Sequence, residues 1–113
     1  LSVGDLSAER DFSDVRDVVR AYHLALTKGE PGAVYNVGAS RSIAVRQLLQ
    51  NLLELSDSRI EVTEDPARMR PSDVPRIVSD CTRLCEATGW RPRWALDQTL
   101  ADALDYWRRR PDN

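Results

Sequence analysis

Apolar positions recur at helical spacing in four stretches of the chain and run into short, strand-like groups between them. Val15, Val18, Val19, Tyr22 and Leu26 form an apolar stripe along one predicted helix. Ser13 is placed to cap it, and Asp14 puts negative charge in the first turn, where the helix dipole favours it. Lys28 suits the last turn, Gly29 a left-handed stop, and Pro31 bars continuation. Val45, Leu48, Leu49, Leu52 and Leu53 predict a second amphipathic helix, N-capped by Ser42 and ending near Ser56. Asp80 caps a third helix over residues 81–88, closed by Gly89. Asp97 caps the last, whose Leu100, Ala103, Leu104 and Trp107 face inward. Arg108, Arg109 and Arg110 complement its C-terminal end, and Pro111 stops it.

The expected strands are short. Residues 1–12 read as an extended segment broken by Gly4 and leading into a loop, 33–37 as a buried strand ending at Gly38, 60–63 as another, and 77–78 as a brief one. Pro66, Pro71 and Pro75 forbid a continuous helix through the segment that also carries Arg68, Arg70 and Arg76. A loop that long in a compact domain is functional or disordered. Residues 90–94 form an aromatic, proline-containing connector. The sum is a small α+β module, residues 1–113, of about four helices with a few short strands, and not a complete doubly wound domain.

Composition narrows the classes. A chain of 113 residues buries roughly two thirds of its unfolded surface, enough for one modest core. With 42% apolar and 30% charged residues it is a globular sequence, not a disordered one. A net charge of −2 gives no pull toward nucleic acid or anionic membrane. No apolar run approaches the roughly 20 residues a membrane-spanning helix needs, and no signal-peptide pattern is present. Cys81 and Cys85 share one helix face, which suits free thiols better than a disulfide. The only histidine, His23, is too far along the chain to join them in a metal site. No metal is expected, and the redox reading is cytoplasmic. The chain opens on Leu1, directly in a strand-like stretch, and reads as cut from something longer.

Four ordered elements then carry a resemblance. The run Arg10-Asp11-Phe12-Ser13-Asp14-Val15-Arg16-Asp17, the strand end Tyr35-Asn36-Val37-Gly38, the loop Arg70-Pro71-Ser72-Asp73-Val74-Pro75, and the stretch from Asp80 to Gly89-Trp90-Arg91-Pro92 together resemble the C-terminal part of nucleotide-sugar-modifying extended short-chain dehydrogenases/reductases. The resemblance covers essentially the whole chain. Asp65-Pro66-Ala67-Arg68 and the Arg70–Pro75 loop are most similar to enzymes acting on GDP-linked sugars, of the GDP-mannose 4,6-dehydratase and GDP-4-keto-6-deoxymannose reductase kind. It implies a C-terminal, substrate-binding lobe whose NAD or NADP sits on a separate N-terminal Rossmann domain.

Neither the Gly-rich dinucleotide fingerprint nor a Tyr-x-x-x-Lys occurs: Tyr22 is followed four on by Leu26, Tyr35 by Ala39 and Tyr106 by Arg110. The chain alone is therefore expected to hold no cofactor, no catalytic residue and no activity. The resemblance assigns Arg10 and Arg70 to the substrate diphosphate and Asp73 to the nucleoside ribose hydroxyls. Arginine offers planar, multi-donor recognition of phosphate, and a carboxylate accepts two hydroxyl bonds at once. The competing roles are a solvated surface arginine and an ordinary turn aspartate. Arg41 and Arg68 are weaker phosphate candidates. Trp90, Trp94 and Trp107 read as packing rather than base-stacking residues.

Expected partners are thus a GDP-sugar and the Rossmann domain. A free-standing nucleotide-sugar- or protein-binding module is the alternative, and a nucleic-acid-binding domain is disfavoured by the charge. A face built for a large domain, if left bare, also leads to self-association of the chain.

Overall fold

A computed structural model describes residues 1–69 and 74–110. In chain order the elements are β1 (Ser2–Val3), β2 (Glu9–Arg10), α1 (Val15–Lys28), β3 (Ile43–Ala44), α2 (Val45–Glu54), β4 (Thr63–Glu64), a 3-10 turn (Pro66–Arg68), α3 (Thr82–Thr88) and α4 (Leu96–Arg108). The expected α+β class and four helices are present. The strands form two separate two-stranded ladders, β1 parallel to β4 and β2 antiparallel to β3. β2 also bridges the extended chain at Arg76, in parallel.

The helix caps depart from expectation in an instructive way. α1 is capped by Asp14, whose carboxylate accepts from the Arg16 amide, and not by Ser13. Gly29 ends the helix in extended conformation (φ −73°, ψ 160°). A Cβ there would lie 2.4 Å from the Ala25 carbonyl oxygen, so close approach, not positive φ, requires the glycine. Gly89 does take the left-handed turn expected of it, at φ 72°. α2 and α4 start from Ala44 and Ala95 without side-chain caps. Ser42 instead donates to Glu9, and Asp97 sits within the first turn of α4. Asp80 accepts from the Thr82 amide at the start of α3.

Burial is concentrated where α1 meets α3. Ala21, Cys81, Leu84 and Trp90 form the core, with Leu24, Ala25, Tyr35, Val37 and Cys85 packed around it. Trp90 is fully buried, and its indole N–H donates to the Asp17 carbonyl at 3.0 Å. α2 has no buried residue and packs on α4, where Leu100 is buried. Ala103 and Trp107 of α4, expected to face inward, are exposed.

The expected strand at 33–37 does not form, although Tyr35 and Val37 still touch the core. Of the strand expected at 60–63 only Thr63 is in one, as the first residue of β4, and 77–78 forms none, the pairing lying at Arg76. A strand needs a continuous ladder with a neighbouring backbone; beside β2 the pairing is confined to the single bridge at Arg76, with Glu9 bonded to Pro75 and Ile77.

The chain is open for its size. Its accessible surface is 8475 Å², whereas a compact monomer of its mass exposes about 6,300 Å². Its radius of gyration is 17.0 Å, against roughly 13 Å for a compact domain of this length. Large apolar residues share in that exposure: Val15, Val19, Tyr22 and Leu26 of α1, and Val34, are all more than half exposed. Among the described residues no helix is long and apolar enough to cross a membrane.

Candidate functional site

Arg10 is the described member of the proposed diphosphate set, and its setting follows from β2. On one side β2 pairs with β3, Arg10 opposite Ile43. On the other side the Glu9 amide donates to the Pro75 carbonyl (2.8 Å) and the Ile77 amide to the Glu9 carbonyl (3.1 Å). Arg10 is half-buried. Its Nη1 donates to the Glu9 carbonyl at 2.7 Å and reaches the Pro75 carbonyl at 3.4 Å. Arg70 and Asp73 lie outside the described residues. Pro75, two positions after Asp73, is nevertheless fastened directly to the strand that carries Arg10.

Asp11 organises the ground beside Arg10. Its carboxylate accepts from the amides of Ala39 (2.7 Å), Ser40 (3.0 Å) and Ser79 (3.1 Å). Gly38 is buried at this junction, and a Cβ on it would lie 2.5 Å from the Ser79 side chain and 2.7 Å from Asp11 Oδ2. Ser40 turns through φ 56°, a left-handed conformation costly for a residue with a side chain. The Cys81 thiol donates to the Gly38 carbonyl at 3.2 Å.

Two further aspartates follow at intervals of three. Asp14 accepts from Arg16 Nε and Nη2 and from the Thr99 hydroxyl, tying α1 to α4. The Arg16 hydrogen bond is the main reason that its carboxyl lies far below the usual range. Asp17, with 2% of its surface exposed, accepts from the amides of Arg93 and Trp94 and from Arg20. Burial pushes its carboxyl up, but the Trp94 amide, Arg20 and the Arg93 amide outweigh it and leave it below the ordinary value. Arg20 also donates to the Arg91 carbonyl. These bonds hold the connector of residues 91–94 against α1.

Arg68 and Arg41 are the weaker phosphate candidates. Arg68 pairs with Asp65 beside the β1–β4 ladder, at 3.5 Å. Arg41 lines a cleft of about 410 Å³ with Phe12, Ser13, Pro92, Trp94 and Thr99, to which Arg10 does not contribute. Trp90 is core, as expected of a packing residue. Trp94 and Trp107 are 40% and 65% exposed, and Trp94 carries the Arg16 guanidinium 3.3 Å over its ring. Asp11, Asp14 and Asp17 were not separable from the other acids by composition.

Small α+β lobes with this arrangement of ladders and helices recur in solved nucleotide-sugar enzymes. RMD from Pseudomonas aeruginosa complexed with NADPH superposes with a TM-score of 0.88 at 38% identity, over 95% of this chain and 35% of that one. UDP-glucose 4-epimerase from Thermotoga maritima with UDP-glucose superposes at 0.85 with 35% identity, over 96% and 34%. In sequence the chain is 40% identical to the GDP-6-deoxy-D-mannose reductase of Pseudomonas aeruginosa over 97% of its length and 36% of the reductase. It is 30% identical to the dTDP-D-glucose 4,6-dehydratase of Mus musculus over 88% of its length and 29% of that enzyme. The chain thus spans about a third of the length of the relatives it matches. Those similarities define an extended short-chain dehydrogenase/reductase lobe. More narrowly, residues 1–103 match the GDP-mannose 4,6 dehydratase family, and the chain belongs to that family.

Proposed function

We propose that this chain is the C-terminal, substrate-binding lobe of an NAD(P)-dependent GDP-sugar dehydratase or reductase of the cytoplasm. In this reading Arg10 and Arg70 hold the diphosphate and Asp73 the ribose hydroxyls. Cofactor and catalytic groups belong to a Rossmann domain that packs on the exposed face of α1. The observation that carries the reading is the fastening of Pro75 to β2. It joins two stretches that match the family's substrate elements, far apart in sequence, beside one arginine. The surface excess of about 2,000 Å² over a compact chain is of the size buried by one partner of a large obligate interface. Bare, the same face is expected to draw two copies of the chain together.

Charge-assisted hydrogen bonds contribute about 1.5–3 kcal/mol each, and a millimolar Kd corresponds to about 4 kcal/mol. The lobe by itself is therefore expected to bind GDP in the millimolar range. The test is an amide-resolved NMR titration with GDP, UDP and dTDP. GDP should move resonances around Arg10 and Pro75 at the lowest concentration of the three. Absence of shifts with all three nucleotides to several millimolar would refute the binding role, and stronger shifts with UDP would refute the GDP assignment. Sedimentation showing a monodisperse monomer at high concentration would overturn self-association.

A further inference from the structure

We infer that Asp11 is a positioning residue for nucleotide binding: it sets the junction on which Arg10 is presented. This inference rests on the binding role proposed above for Arg10. One carboxylate collects three backbone amides, two from the turn at Ala39 and Ser40 and one from Ser79. The sequence separations are 28, 29 and 68 residues, so these bonds fix tertiary geometry rather than a local turn.

Ser79 lies on the same extended run as Pro75 and Ile77, which bracket Glu9. Holding Ser79 therefore holds that run against β2, and with it the Pro75 carbonyl beneath the Arg10 guanidinium. An ionised carboxylate is acceptor-only, with room for all three donors. An asparagine has one acceptor oxygen and would turn an NH₂ toward at least one N–H. Gly38 has no space for a Cβ between Ser79 and Asp11, which marks the junction as tightly closed. The left-handed Ser40 is held where two of the three bonds converge. Asp11 is adjacent to Arg10 in sequence, so a shift of this junction is passed directly to Arg10 through one peptide unit.

The experiment compares Asp11→Asn, Gly38→Ala and Leu100→Ala in the full chain by NMR titration with GDP, with circular dichroism confirming that each is folded. Leu100→Ala is the control: it removes a buried side chain of α4 and lowers stability without touching the junction. Asp11→Asn and Gly38→Ala should each weaken GDP binding about tenfold, the factor carried by one mis-set charge-assisted hydrogen bond. The Ala39, Ser40 and Ser79 amide resonances should move upfield in Asp11→Asn before any nucleotide is added. Leu100→Ala should bind GDP as the parent chain does. Should Asp11→Asn fail to fold, Gly38→Ala decides alone. GDP binding by both junction variants at parental affinity overturns the positioning role and leaves the binding role standing. An equal loss in Leu100→Ala overturns it too, by showing that affinity follows stability. A parent chain that does not bind GDP removes the binding role and this inference together.

Discussion

The two faces of α1 are built from opposite materials. The face turned to α3 and the connector carries Asp17, Ala21, Leu24 and Ala25, and its two buried residues are an aspartate and an alanine. The face turned outward carries Val15, Val19, Tyr22 and Leu26, exposed by 69%, 59%, 62% and 87%. Hydrophobic periodicity reports only that a stripe has something to bury. It is silent on whether the covering surface belongs to the same chain. Here the inner face is held by small-residue packing and a satisfied carboxylate, and the apolar stripe is left without a cover.

The sharpest way to break this contrast is at its inner side. Trp90→Ala removes the largest fully buried side chain and its bond to the Asp17 carbonyl, and should cost about 3–5 kcal/mol in urea unfolding. A loss below 1 kcal/mol would mean that the α1–α3 contact is not the core. Asp17→Ala leaves the Arg93 and Trp94 amides and Arg20 without their shared acceptor, and should cost about 3 kcal/mol. Its unfolding midpoint should fall while the far-ultraviolet spectrum stays helical.

Acid probes the same side more gently. Asp14 and Asp17 both titrate below the ordinary carboxylate value in the folded chain. The stability they add is complete above the unfolded value of about 3.9 and is lost as pH falls through their lowered folded values. Melting temperature should therefore decline below about pH 4, and decline less steeply in Asp17→Ala; equal slopes would remove Asp17 from the acid response. The smallest effect should come from the outer face. Tyr22→Glu and Leu26→Glu should each change folding stability by no more than about 0.5 kcal/mol while abolishing concentration-dependent sedimentation. A large destabilisation would show that the stripe is covered within the chain after all.

The helices were legible because each carries its own signals. α1, α3 and α4 fall within one or two residues of where periodicity, Pro and Gly put them, and Gly89 takes the predicted left-handed turn. The strand at 33–37 was not, because a short apolar run describes a segment that suits a sheet, and only a neighbouring backbone makes one. Trp107 misled for the same reason as the α1 stripe: an apolar position on a helix has no mark distinguishing its own domain from a partner. Of the site, Arg10 could be read from its surrounding motif, whereas Asp11 could not, since nothing local announces amides 28 and 68 residues away.

The aspartates at 11, 14 and 17 also bear on how the chain reaches its fold. Asp14 finds Arg16 two residues away, but the bonds of Asp11 to Ser79 and of Asp17 to Arg93 and Trp94 close loops of 68, 76 and 77 residues. Loop closure is paid in chain entropy before these contacts return anything, and non-local contacts slow folding. α1 can thus cap itself early, while the turn at 38–40 and the connector arrive late. In pulsed hydrogen exchange the amides of Ala39, Ser79 and Trp94 should gain protection together, after those within α1, so that seven residues near the N-terminus time the closing of nearly the whole chain.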